Sequence, residues 1–354
     1  MTAADILIIG GGIAGVSLAA RLASRQSGRA RTVLLEREEM LAMHTTGRSA
    51  AIFSETYGNA QVRLWTREGR DFFLNPPAGF ADGPLVSPRP TLFVARPGDT
   101  ERLNTFLREN PGHAEPMTPA KAHALVPVLR EGVFTGFAVE PASTDIDVHR
   151  LFDGFRRMAL KNGADICTYR EVRGLQRKSG VWTVETNDGG YEAPIVVNAA
   201  GAWGGHIGIL AGLGDYGLQP LRRTAVMIEP PPELEISSWP LVNHIGDDFY
   251  FKPDAGLILA SPLDETPSEP CDAQPEEIDV ATIAARLEEA TTLTVHRIRR
   301  RWAGLRSFTP DRTPHFEFDD QAEGFFWLIG QGGYGIQTSP SISQRAADKI
   351  LARL

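Results

Sequence analysis

Cysteine is nearly absent from this 354-residue sequence, which has only Cys167 and Cys271. Two thiols make no disulfide framework, and their scarcity fits a reducing compartment. Long apolar runs are missing as well, and no stretch reaches the roughly 18 residues that a spanning helix needs. Residues 5–20 are apolar enough to mimic a signal peptide. The residues before them carry no lysine or arginine, however, and Gly10, Gly11, Gly12 and Gly15 interrupt the run. A cytoplasmic location is expected, with peripheral attachment to an inner membrane left open. Basic charge is not in excess: 36 Lys and Arg stand against 44 Asp and Glu, a net charge of −8. Such a surface repels phosphate backbones, which argues against nucleic acid as the main partner. The eight histidines are scattered without metal-ligand spacing. No nucleophile elbow or Ser/His/Asp arrangement appears.

Glycine, by contrast, is plentiful, with 35 residues against an average usage near 7%. Length suggests roughly two domains of about 150 residues. Residues 5–9 and 32–36 read as buried parallel strands around a helix at 12–23, one βαβ unit. Helices are expected at 61–74, from 148 behind the capping residues Asp145 and Asp147, at 278–290 and at 339–354. Strands are expected at 92–95, 181–186, 192–199 and near 291–298. A hairpin at 249–252 and 257–260 turns through residues 253–256.

Gly10-Gly11-Gly12-Ile13-Ala14-Gly15 is G-x-G-x-x-G between that first strand and helix. The first glycine makes the turn, the second admits a pyrophosphate, and the third lets helix and strand pack; the helix N-terminus attracts the anion. Glu36, about 20 residues further on, is placed to accept hydrogen bonds from an adenosine ribose. The fingerprint serves NAD and FAD alike. Two segments favour FAD: a strand and small-residue turn at 196–203, and a second glycine-rich turn at 330–335 before the last helix.

These segments carry a resemblance. The fingerprint, residues 44–51 (HTTGRSAA), 75–80 (NPPAGF), 87–90 (SPRP), 198–203 (NAAGAW), 302–306 (WAGLR) and 331–337 (QGGYGIQ) resemble the D-amino acid oxidase superfamily of FAD-dependent oxidoreductases. Within it they look most like the bacterial D-arginine dehydrogenases, over essentially the whole chain. The resemblance implies an α/β (α+β overall) fold. A glutathione-reductase-type FAD-binding Rossmann domain (residues 1–85, 141–218 and 299–354) interleaves with a smaller substrate domain (86–140 and 219–298) whose sheet is mostly antiparallel. It implies noncovalent FAD, a small amino acid substrate, and a quinone, electron carrier or oxygen as acceptor. Cofactor contacts are implied for Ile13, Ala14, Arg37, Thr46, Gly47, Arg48, Ser49, Ala50, Val172, Ala200, Gly201, Trp203, Gly304, Arg306, Gly332, Gly333, Tyr334, Gly335, Ile336 and Gln337. Of these, Gly333, Ile336 and Gln337 lie toward the flavin ring or substrate.

Oxidising an amino acid asks the protein mainly for geometry and a carboxylate clamp, for which arginine's planar fork is best suited. Arg306 sits in an apolar setting between Leu305 and Phe308. Arg222 and Arg223 would face opposite sides of a strand, so one alone can enter a pocket; the resemblance selects Arg223. It also implies that the Tyr250 hydroxyl meets the carboxylate and that Tyr57 is a mobile lid. The D-arginine dehydrogenases grip a guanidinium with a glutamate and a nearby histidine, and the matching positions here are Thr91 and Ile52. A cationic side chain would lose its counter-charge, so an apolar or small polar D-amino acid is the expected substrate, unless Glu55 points inward. Secondary-amine, glycine or sarcosine oxidation, 2-hydroxy acid oxidation on the same fold, and a flavin-binding protein without turnover are the alternatives.

Overall fold

The four residues of Ile6–Ile9 are all fully or nearly fully buried, as a strand covered on both faces must be. In the computed structural model, which describes residues 1–26 and 30–354, this strand is the centre of a five-stranded parallel sheet. The order is Asp165–Cys167, Thr32–Leu35, Ile6–Ile9, Ile195–Asn198, Phe325–Trp327. Alternate side chains serve two cores. Ile6, Ile8 and Val197 pack against helices Ile13–Gln26, Val148–Lys161 and Gly335–Leu351. Leu7, Ile9 and Val196 pack against an antiparallel sheet of Val172–Lys178, Val181–Thr186 and Gly189–Ala193. Asp147 caps the second of these helices by accepting from the Arg150 N–H.

The expected strand at 192–199 is two strands. Ala193 pairs with Trp182 in the antiparallel sheet, and Ile195 pairs with Ile6 in the parallel one. Pro194 between them has no N–H to give a ladder, so the chain changes sheets there. The last helix begins at Gly335, earlier than expected, and carries Pro340 within it.

The second sheet is mixed. Gln219–Ile228, Leu257–Ser261, Tyr250–Asp254, Leu241–His244, Thr91–Ala95 and Gly136–Glu140 follow one another, and only the Leu241–His244/Thr91–Ala95 pair is parallel among them. Helix Glu277–Ala290 and Trp239 close its outer face in a core with Phe249, Phe251 and Val242. The hairpin turn is shorter than expected: Pro253 and Asp254 stay in the strand, and Ala255 and Gly256 turn with φ of 50° and 78°. Residues 291–297 are not a strand. The strand is Ile298–Phe308, which pairs with Gln219–Ile228 along its length. A boundary at 299 therefore falls inside this strand, which goes with the second sheet. Among the described residues, no helix is long and apolar enough to cross a membrane.

Candidate active site

A cavity of about 720 Å³ lies where the two sheets meet, within the roughly 300–1,000 Å³ usual for small-molecule and cofactor sites. One end is the glycine turn. Gly10 has φ of 116°, and a Cβ there would stand 2.4 Å from the Ala199 carbonyl oxygen. A Cβ on Gly15 would stand 2.0 Å from the Gly10 carbonyl oxygen, so only glycine lets this helix meet the strand. A Cβ on Gly12 would meet only the Thr46 hydroxyl, at 3.3 Å. The Thr46 hydroxyl accepts the Ile13 N–H at 3.0 Å. The first turn of the Ile13–Gln26 helix carries no acid, so its positive end is free to face an anion.

Glu36 is held as a fixed acceptor. Its Oε2 takes the Gly11 N–H at 2.7 Å and its Oε1 the Glu38 N–H at 2.9 Å. Gly11, absent from the expected contacts, is what lets Glu36 approach: a Cβ on it would meet Oε2 at 2.8 Å. The middle glycine of the triplet was the available signal. Val172 lines this end, and the Arg37 guanidinium lies 4.8 Å over the Trp203 ring.

The other glycine turn closes the cavity opposite the first. Gly330 and Gly332 have φ of 74° and 51°, and a Cβ on Gly332 would fall 2.3 Å from the Phe308 ring. Ala14, Ser49, Ala50, Ala200, Gly201, Gly304, Gly335 and Ile336 also line the space. Ser307 Oγ and Gln331 Nε2 are buried in its wall with no hydrogen-bond partner among the described residues. Buried polar atoms demand partners, so these two suit a ligand with polar ring edges. An acid-free helix N-terminus, a fixed carboxylate at the end of the second strand and these two atoms together fit FAD. Gln331 opens the 331–337 segment but is not among the expected cofactor contacts, and Ser307, just past the 302–306 segment, carries no signal at all.

Arg306 and Arg223 come from paired strands. Leu221 opposes Arg306 and Arg223 opposes Gly304, which puts both arginines on one sheet face. Tyr250, buried two strands away, completes that wall. Arg222 faces the other side, toward Glu276 and Asp279. Arg223 donates Nε to the Asp264 carbonyl at 2.8 Å and Nη2 to Glu265 at 3.2 Å. Its Nη1 is buried without a partner among the described residues. Arg306 donates to the Tyr57 hydroxyl at 3.2 Å, and a Cβ on Gly333 would crowd both. Burial, then the neighbouring Arg306, lower the proton affinity of Arg223. Burial opposes charge on Arg306 as well, but the hydroxyls of Tyr57, Tyr250 and Tyr334 and the Glu265 carboxylate outweigh it. Burial raises the pKa of Tyr250, and burial with Tyr57 pushes Tyr334 up to about 12. The hydroxyls of Tyr250 and Tyr334 therefore remain protonated donors.

Several expected contacts are placed elsewhere. Gln337 does not reach the cavity: its amide is locked to both backbone groups of Ser54 and to the Thr66 hydroxyl at 2.9 Å. Arg48 lies in the wall, but its guanidinium is bonded to the Ala273 and Ala303 carbonyls and to Asp272 rather than left for a phosphate. Gly47 makes the tight turn under Ala42. Thr91 is buried on its strand and hydrogen-bonded to Ser143 at 2.9 Å, outside the cavity lining. Ile52 packs beside Tyr250 without lining the cavity. Glu55 pairs with Arg70 and His113 and does not turn inward. Tyr57 and Tyr334 meet edge to face at 4.9 Å behind Arg306.

Comparison with known proteins places this geometry. The mouse mitochondrial dimethylglycine dehydrogenase is 27% identical over 74% of this chain, which spans only 30% of that protein. Glycine oxidase of Geobacillus kaustophilus is 23% identical across 98% of this chain and 92% of its own. Its crystal structure superposes with a TM-score of 0.83, at 22% identity over 99% of this chain and 95% of that one. L-α-glycerophosphate oxidase of Mycoplasma pneumoniae, solved with FAD bound, gives 0.87 at 19% identity, over 99% and 95%. The profile described as DAO, FAD dependent oxidoreductase, matches residues 5–349. The chain belongs to this family of FAD-dependent oxidoreductases.

Proposed function

We propose that the protein oxidises the Cα–N bond of a D-amino acid with an apolar or small polar side chain. The observation that carries this is the unpartnered Arg223 Nη1 on the same wall as Arg306 and Tyr250. A buried cationic donor needs an acceptor, and a carboxylate accepts from two guanidiniums and a phenol at once. FAD, when bound, supplies the acceptor for the hydride from Cα. The chain's part is to orient. Arg306, Arg223 and Tyr250 fix the carboxylate, which sets the direction of the Cα–H. Ala50 and Trp302 pack beside Tyr250, Ala225 lines the same cavity, and none of the three offers a side chain a counter-charge. The imino product, once released, hydrolyses in water to a 2-oxo acid and ammonia.

A second reading is oxidation of glycine or an N-methylated glycine such as sarcosine, which needs the same clamp. The printed activities of the relatives, dimethylglycine dehydrogenase and glycine oxidase, favour it. Anaerobic bleaching of the purified protein separates the two. D-alanine, D-valine and D-phenylalanine should bleach the flavin, while L-enantiomers, sarcosine and 2-hydroxy acids should not. Bleaching by sarcosine, glycine or dimethylglycine but by no D-amino acid supports the second reading, and bleaching by none of these compounds refutes both.

A further inference from the structure

We propose that Glu265 is the resident counter-ion of the carboxylate site, a positioning residue that holds Arg223 and limits how tightly a substrate carboxylate is bound. The inference rests on the clamp reading above. Asp264 and Glu265 together cover two of the three guanidinium nitrogens of Arg223, at Nε and Nη2. Among the described residues they leave Nη1 as the one edge without a partner. Glu265 is itself held from the far side. Arg312 grips both its oxygens, at 2.7 and 3.1 Å, and is anchored with its guanidinium 3.8 Å over the Phe308 ring. Glu265 is thus not free to follow Arg223; it fixes where Arg223 stands.

Its charge acts separately from its hydrogen bonds. Three guanidiniums, of Arg223, Arg306 and Arg312, gather around this corner, and Glu265 is bonded directly to two of them. Without that carboxylate the corner would attract an incoming anion more strongly, because like charges would go uncompensated. The side chain of Glu265 is 37% exposed, so solvent screens the effect and a change of about three- to tenfold is expected.

The test compares holoenzymes of wild type, Glu265→Gln and Glu265→Ala, titrated with acetate and propionate. Binding is read from the flavin absorbance difference without turnover. Glutamine keeps an acceptor for Arg223 but removes the charge, so its Kd for both acids should fall about three- to tenfold at low salt. The gap should narrow at roughly 0.5 M salt, where the Debye length is only a few ångströms. Alanine removes the hold too, so its rate of anaerobic bleaching at saturating substrate should fall further below wild type than that of the glutamine variant. A glutamine variant that binds the acids no better than wild type, or more weakly, overturns the assignment alone. A wild type that binds neither acid overturns the clamp and the assignment together.

Discussion

At the scale of single residues, the two faces of the Gln219–Ile228 strand separate structure from chemistry. Both terminal nitrogens of Arg222 are taken by Glu276 and Asp279 and only its Nε lacks a partner, whereas on Arg223 it is the terminal Nη1, on the cavity wall, that lacks one among the described residues. Arg306→Ala should leave the yellow colour but lower kcat/KM by about thirtyfold to several thousandfold, since truncating a buried charge-pair partner costs roughly 2–5 kcal/mol. Near-wild-type bleaching rates in that variant would refute the clamp. Gly333→Ala probes the same corner from the backbone. Its Cβ would come within 2.7 Å of the Tyr57 hydroxyl and 2.9 Å of Arg306 Nη1, both at the ends of side chains. The protein should therefore fold with an ordinary melting temperature while KM rises; an unchanged KM would mean the corner holds no substrate. Thr91→Glu, which the lost counter-charge would suggest as a route to D-arginine oxidation, should fail. Thr91 faces Glu140 across the strand pair. Glu140 already accepts from Ser54, Thr56 and the Glu55 N–H, and burial raises its pKa. A second buried carboxylate there should lower the melting temperature without D-arginine activity.

At the scale of elements, what could be read in advance depended on the range of the interaction. The βαβ unit, the capped helix behind Asp147 and the two glycine turns rest on local signals, and they stand within a few residues of expectation. The Ile298–Phe308 strand was hidden because its exposed first half reads as a run of arginines. Only its partner Gln219–Ile228 makes it a strand. The site divides the same way. Glycine spacing revealed the cradle, but the engagement of Arg48 and Gln337 by distant protein groups, and the stranding of Ser307 and Gln331, arise from tertiary contacts that no periodicity carries. The glycine turn offers an element-scale test. Gly15→Ala would force a Cβ to 2.0 Å from the Gly10 carbonyl oxygen, a backbone contact that no side-chain rotation relieves. Overpacking of about 1–3 kcal/mol should wedge the helix from the strand, and the protein should purify with less flavin. Full flavin content in this variant would contradict the close-packing role.

At the scale of the whole molecule, acid should weaken the fold through buried imidazoles. Burial lowers the pKa of His244 and of His315. The unfolded chain, with ordinary imidazoles near 6.5, then binds more protons than the folded one. The stability this gives is complete above about pH 6.5 and is lost as pH falls through the folded values. Glu140, Asp247 and Asp264 are shifted upward by burial and act in the opposite sense. The histidine contribution is tested directly: between pH 7.5 and 5.5 the urea midpoint of His244→Gln should fall less than that of wild type. A slope unchanged by that substitution would remove His244 from the account.

The parallel sheet has a consequence for synthesis. Its central strand, Ile6–Ile9, is flanked by Ile195–Asn198, whose outer neighbour is Phe325–Trp327. Pairings so distant in sequence close late, after the entropy of large loops has been overcome. A ribosome-bound chain short of residue 335 lacks Gly335 and Ile336, by which the last helix lines the cavity. The cavity that fits FAD is therefore complete only once that point has been passed. Until Ile195–Asn198 has been made, one edge of the apolar Ile6–Ile9 strand waits unpaired, a segment for chaperones to shield.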